Sequence, residues 1–471
     1  MIIAPIIKKE SPGLFARGFH PFIVAPRMFE RAGSLGTFRV VCGSRARRWT
    51  RIVATRWRRR LTFLLGGVAI GIVAVIFAKL ADLAQFAFTH LEGRWPYACL
   101  VITPLGFAAS TYLGRRFFPN SQGSGIPQAI AARQLHGLAA RQRLVSIRIA
   151  IGKVLLTVLG LLCGASVGRE GPTVQVGASL MFAVGRMSPR RQPGLILAGA
   201  SAGVAAAFNT PLAGIVFGIE EMGRSFEART NGLAIAAVIA AGITSLAIVG
   251  DYLYFGTTSV ALGSVAGWLA VPVIGAAGGL AGGIFSRGLI LLSGGLPGRV
   301  GKWVRLHPVW FASGCGLAVA LCGFASGGSV FGTGYAQARG LLEGSGHVPL
   351  AFGFWKFAST FLSAASGVPG GIFSPCLSTG AGLGYLFSAV FPGVPLAALI
   401  LLGMVSYFTG VVQAPITAFV IVSEMTGDHA MIVPLMASAF IAQACSRMIC
   451  HDGIYHALAA RFRREAELRR G

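Results

Sequence analysis

The chain has 471 residues, 54% of them hydrophobic and 12% charged, with a mean hydropathy of +0.70. Soluble domains carry a charged fraction of about 25%, so this composition excludes a soluble globular protein and indicates an integral membrane protein. The net charge of +26, from 41 Lys and Arg against 15 Asp and Glu, gathers at residues 45–60, 133–148 and 461–470. These clusters flank apolar runs, where they read as the positive-inside signal, and both termini are expected in the cytoplasm. A nucleic-acid partner would need folded basic domains, and only tails and loops are basic. The eight cysteines form no C-x-x-C pair and lie mostly in apolar runs, which predicts neither a disulfide framework nor a zinc site. The opening residues 1–9 are too short for a signal peptide, and none is expected.

Residues 1–60 are basic and aperiodic; they read as a partly disordered cytoplasmic segment, with an interfacial helix near Trp49 to Trp57. Leu61 to Ala78 is uncharged and long enough to span a bilayer, which takes about 20 residues. A second span, Ala98 to Leu113, ends at Arg115 and Arg116, and a turn-rich stretch from Asn120 to Pro127 leads into a short helix near Gln134. A basic loop runs to Arg148, and a further span starts at Ile149. Thr173–Val184, Gly194–Phe208 and Pro211–Met222 are short for a crossing at a rise of about 1.5 Å per residue. Broken helices at membrane depth imply backbone that lines a protein-enclosed cavity, because lipid would leave its polar groups unpaired. Gly232–Val249 is another span, and Val260–Leu292 is long enough that it should tilt or break near its glycines. Apolar segments then recur at Trp310–Phe324, Phe352–Ala365, Ile372–Val390, Leu396–Tyr407, Pro415–Glu424 and Met431–Met448.

Within this series, Leu161 to Gln175 places Arg169 and Glu170 between Gly168 and Gly171 inside an apolar tract. Charged groups at membrane depth are costly and usually functional. Pro172 suits the first turn of a helix that starts at Glu170, and the free N–H groups of such a start attract anions. The plainer alternative is a loop glutamate at the membrane surface, salt-bridged to Arg169.

The second half repeats the first. Gly168-Arg-Glu-Gly-Pro172 matches Gly371-Ile-Phe-Ser-Pro375 at an offset of 203, while Gly199 matches Gly403 and Asn209-Thr-Pro211 matches Gln413-Ala-Pro415 at 204. Nine residues separate Pro211 from Glu220, and nine separate Pro415 from Glu424. Transporter folds built from two repeats place their substrate site at the repeat interface near the midplane, fed by broken-helix N-termini from both halves.

Three motifs, Gly123-Ser124-Gly125-Ile126-Pro127, Gly168-Arg169-Glu170-Gly171-Pro172 and Gly371-Ile372-Phe373-Ser374-Pro375, stand in this order, with Tyr455 near the start of the last helix. Together they resemble the chloride channel and chloride/proton antiporter (CLC) family over roughly Leu61 to Phe462. The resemblance implies an all-α membrane fold of tilted and broken helices in two inverted-topology repeats, residues 61–255 and 256–462, followed by a basic tail at 463–471. It also implies a homodimer in lipid, with one anion pore per subunit. Carried over by position, the Ser124 and Tyr455 hydroxyls and the N–H groups of Ile372 and Phe373 would hold a central chloride. Neutral donors suit an anion that must also leave. Serine at 124 matches the chloride-preferring members.

Glu170 resembles the family's external gate, a carboxylate that takes the anion's place when ionised and swings away when protonated. Glu221 matches the internal proton-transfer glutamate of many antiporters; its alternative is a helix-end residue paired with Arg224. Glu220 and Glu424 are expected to be structural. Lys153 either biases the pore or snorkels to the surface beside Arg148.

The resemblance implies a multi-pass transporter of the bacterial inner membrane that exchanges chloride for protons without a cofactor; the alternative is a passive, voltage-gated-type chloride channel. The chain ends 16 residues after Tyr455, so the nucleotide-binding pair of larger relatives is expected to be absent. An intramembrane enzyme is disfavoured, since the sequence has no H-E-x-x-H and no aspartate pair within its apolar spans.

Overall fold

The computed structural model describes residues 35–185, 191–223, 231–250, 253–295, 297–345 and 348–468. Residues 1–34 of the basic N-terminal segment, the proposed partner Arg224 and the last three residues of the tail lie outside them. The chain divides into two units, Met1–Arg58 and Arg59–Gly471, and the second carries the site.

Among the described residues the architecture is all-helical, with one isolated antiparallel bridge. The first half supplies α1 (Leu35–Arg94), α2 (Cys99–Phe117), α3 (Ile126–Gln134), α4 (Leu138–Gln142), α5 (Ile147–Leu162), α6 (Glu170–Val184), α7 (Gln192–Phe208), α8 (Pro211–Phe217) and α9 (Asn231–Val249). The second supplies α10 (Val265–Gly294), α11 (Gly298–Leu306), α12 (Pro308–Ala325), α13 (Tyr335–Leu342), α14 (Phe352–Ala365), α15 (Phe373–Leu386), α16 (Leu396–Val412), α17 (Pro415–Thr426), α18 (Ile432–Ile449) and α19 (Ile454–Leu468). Seven helical stretches of the described residues are long and apolar enough to cross a membrane. The protein is an integral, multi-pass membrane protein.

One expected span is corrected. The apolar stretch of α1 runs from Arg60 to Arg94, not only to Ala78. Beyond Ala78 the sequence admits charges, so a count of hydropathy stops there. Phe77, Ala81, Ala84 and Phe88 nevertheless recur at helical spacing and are all buried, so one face continues into the core. The extension carries Asp82 to Arg169 and Gln85 to Thr333. Of the tilt or break expected for Val260–Leu292, the break does not occur: α10 is one continuous helix with Pro272 near its start. Its glycines serve close packing instead of a break: Gly278 and Gly282 face the backbone of α16, and Gly279 and Gly283 that of α18.

The sequence matches between the halves recur as matching devices. Helices α7 and α16 both end on a non-glycine residue in left-handed conformation, Asn209 at φ 57° and Gln413 at φ 60°. Pro211 and Pro415 then open α8 and α17, where a missing N–H costs nothing. The Glu424 carboxylate accepts from the N–H groups of Leu212 (3.1 Å) and Ala213 (2.7 Å) at the start of α8. Reciprocally, Glu220 accepts from Ile416 (3.1 Å) and Thr417 (2.7 Å) at the start of α17. Each carboxylate neutralises the positive end of the other half's helix, which matches the structural role expected for both.

Candidate functional site

The isolated bridge joins the two matched motifs. Gly168 and Gly371 exchange N–H···O bonds of 2.7 Å in both directions. From this junction α6 starts at Glu170 and α15 at Phe373, each with its motif proline, Pro172 or Pro375, in the first turn. Two helix N-termini thus converge where the halves meet. Gly125, at φ 94°, opens α3 against the same place, and a Cβ there would fall 2.7 Å from Gln175 Cβ of α6. That position accepts only glycine. Pro127 follows in the first turn of α3.

Glu170 is completely buried. The Tyr335 hydroxyl donates to its Oε1 at 2.8 Å and the Ser374 hydroxyl to its Oε2 at 3.0 Å. The surface-loop alternative is therefore wrong, and so is a pair with Arg169. The Arg169 guanidinium points the other way, to the Ala78 carbonyl (2.7 Å), the Asp82 carboxylate and the Tyr254 hydroxyl (3.2 Å). The cation is thus neutralised by α1 and leaves the Glu170 carboxylate to neutral donors.

Phe373 is enclosed by aromatic rings of several helices. Its ring centroid lies 5.8 Å from that of Phe208, 4.9 Å from Phe408 and 5.9 Å from Tyr455. Tyr455, on the first turn of α19, is buried, and its hydroxyl bonds no group among the described residues. The Tyr407 hydroxyl is likewise buried without a bond among the described residues. Ser124, Ile372 and Tyr455 line one cavity of about 320 Å³ with Gly123 and Gly370. Its wall includes Arg115, Arg305 and Arg461, the last paired with Glu465 at 3.0 Å, and the remaining positive charge favours anions. The four residues expected to hold chloride, Ser124, Ile372, Phe373 and Tyr455, are thereby brought together.

Lys153 does not snorkel: it is fully buried, and its ammonium donates to the carbonyls of Gly123 (2.7 Å) and Gln122 (3.4 Å). It fixes the loop that carries Ser124. Lys356, 203 positions later and also buried, donates at 2.8 Å to the carbonyls of Val330 and Gly332. Glu221 lies in a π-helical turn, Gly218–Gly223, and is buried. His456 Nε2 lies 3.3 Å from Glu221 Oε1 and 3.1 Å from the Glu221 carbonyl oxygen. Tyr455, beside His456, is within electrostatic reach of both Glu221 and Glu170.

Sequence reasoning missed Tyr335, Lys356, Asp82 and His456. A signal existed for the first two: Gly332-Thr-Gly334-Tyr335 echoes Gly123-Ser-Gly125-Ile126, and Lys356 shares the offset of 203. Ser166 stands in Gly164-Ala-Ser166-Val-Gly168, the G-x-S-x-G spacing of a hydrolase nucleophile. It is buried and its hydroxyl shares a 3.1 Å bond with Thr360 instead of facing a histidine, so it is placed as a structural residue.

A family model described as the voltage gated chloride channel matches residues 105–447. The chain belongs to the CLC family. Among its CLC relatives, the H(+)/Cl(-) exchange transporter ClcA of Yersinia pseudotuberculosis serotype IB is 32% identical over 425 residues, 84% of this chain and 86% of that protein. The protein of the same name from Salmonella arizonae is 31% identical over the same shares. A solved structure of a slow cyanobacterial Cl-/H+ antiporter superposes with a TM-score of 0.74 at 24% identity, covering 87% of this chain and 98% of that one. A CLC-type fluoride/proton antiporter superposes at 0.70 and 22% identity, covering 85% and 97%. The fold is the CLC fold.

Proposed function

We infer that this protein exchanges chloride for protons across the membrane. The observation that carries this reading is the Glu170 carboxylate, buried at the Gly168–Gly371 junction and held by neutral donors. A carboxylate at an anion site does two things. When ionised it competes with chloride for the same donors, and when protonated it gives them up. One group that binds either a proton or the position of an anion links the two fluxes without a cofactor. The names of the ClcA relatives agree with antiport.

In this reading Ser124, Tyr455 and the N–H groups of Ile372 and Phe373 hold the central chloride. The cavity that Ser124, Ile372 and Tyr455 share, with Arg115 and Arg305 in its wall, supports the assignment. Glu221 passes protons between the cytoplasm and Glu170. Its burial and its contact with His456, the residue after Tyr455, favour an antiporter over a passive channel, which needs no second carboxylate. Residues 61–255 and 256–462 form two inverted repeats, supported by the reciprocal caps of Glu220 and Glu424. Two copies assemble in the bacterial inner membrane, each with its own pore and with both termini in the cytoplasm.

The test is Glu170→Ala in proteoliposomes. Chloride movement is retained and proton movement lost. Proton transport that persists unchanged would remove Glu170 as the gate.

A further inference from the structure

The loop before α13 is built like the loop before α3. Gly332 (φ 68°) and Gly334 (φ 81°) match the left-handed Gly123 (φ 66°) and Gly125 (φ 94°), with Thr333 where the other loop has Ser124. A buried lysine farther down the chain bonds each loop's carbonyls, Lys153 on α5 and Lys356 on α14. The second loop has a further tie: Gln85 Oε1 of α1 accepts from both the N–H and the hydroxyl of Thr333, at 3.1 Å each. A Cβ on Gly334 would fall 2.6 Å from Ser378 Cβ, so the chain turns there only as glycine. What this rigid loop presents is Tyr335. Its ring packs on Tyr254 at 4.9 Å and on Phe255 at 5.4 Å, and its hydroxyl reaches Glu170.

We propose that Tyr335 is the latch of the Glu170 gate, a positioning residue that holds the ionised carboxylate in the anion's place. The proposal rests on the reading of Glu170 as gate. A hydroxyl that donates to a carboxylate strengthens the ionised form, and the protonated form gives that bond up. The latch therefore sets how strongly the gate competes with chloride and at what pH it opens. Among the described residues, Arg169, already paired with Asp82, and Tyr455 also interact electrostatically with Glu170. The second hydroxyl on the carboxylate, from Ser374, keeps the gate seated when the first is removed. Tyr335→Phe keeps the ring stack and deletes one bond.

The experiment measures chloride flux against pH in proteoliposomes for the full-length protein, Tyr335→Phe, Glu170→Gln and the double variant. Chloride affinity of the same four proteins is measured by calorimetry. Loss of one bond to a charged group weakens the gate on the order of tenfold. Tyr335→Phe accordingly moves the midpoint of the flux profile about one pH unit higher and tightens apparent chloride binding on the order of tenfold. In the Glu170→Gln background, with no carboxylate to hold, Tyr335→Phe changes neither quantity. The latch is refuted if the single variant's profile and affinity match the wild type, or if the same changes persist in the Glu170→Gln background. Should Glu170→Gln itself keep proton coupling, the gate assignment falls and the latch with it; proton coupling lost in Glu170→Gln beside an unaltered Tyr335→Phe removes the latch alone.

Discussion

Gly171 is the point where the three motifs come closest, and one methyl group tests whether they act as a unit. A Cβ on Gly171 would lie 3.0 Å from the Ser124 carbonyl oxygen, 3.2 Å from Ser124 Cβ and 3.2 Å from Gly371 Cα. Each contact is tight, and two of the three are backbone. Overpacking of this kind costs about 1–3 kcal/mol. Alanine returns up to about 1 kcal/mol in helix propensity, because Gly171 lies in the first turn of α6. The net loss of stability is therefore modest, about 1 kcal/mol. The functional loss is larger, since the methyl pushes the Ser124 loop and the start of α15 apart at the site that must close around the anion. A chloride affinity lowered about tenfold corresponds to about 1.4 kcal/mol, and this is the expected result from calorimetry on the Gly171→Ala protein. Gly314→Ala in α12 is the control: no atom lies within 4 Å of its Cβ position, so it leaves chloride affinity unaltered. Wild-type chloride affinity in Gly171→Ala would refute the idea that the three motifs share one site.

Three further outcomes are expected. Glu221→Gln stops proton flux while anion flux continues; intact coupling would return Glu221 to a helix-end role beside His456. Tyr455→Ala weakens chloride binding in calorimetry, and an unaltered affinity would remove Tyr455 from the site. Glu424→Ala lowers thermal stability by about 0.5–2 kcal/mol, the usual cost of a lost N-cap, because the N–H groups of Leu212 and Ala213 lose their acceptor. Unfolding at the wild-type temperature would show that the crossed caps contribute nothing.

Much of the site was legible because its residues break a local rule. A carboxylate between glycines in an apolar tract, prolines at helix starts and paired carboxylates nine residues after matched prolines are all costly unless used. The structure places Glu170 and the starts of α6 and α15 at one junction, and the paired carboxylates at the starts of α8 and α17. What escaped depends on contacts that sequence spacing does not encode. Asp82 lies beyond the uncharged stretch that marks the first span, and only the fold brings its largely exposed carboxylate onto Arg169. The glycines of α10 leave a tilt or a break open in the sequence; packed against α16 and α18 they permit the approach that keeps the helix whole. Tyr335 was overlooked because its loop shifts the repeat offset from 203 to 209 while keeping both left-handed glycines. Serine 374 was read only as a motif letter, whereas it bonds the gate directly.

The central claim, that chloride and proton movements are coupled, is tested most directly with the wild-type protein in liposomes. A chloride gradient is imposed without a pH gradient, and both ions are recorded. Chloride leaving down its gradient should drive protons uphill into the vesicles. Chloride efflux without any proton movement would contradict the account and make the protein a passive channel.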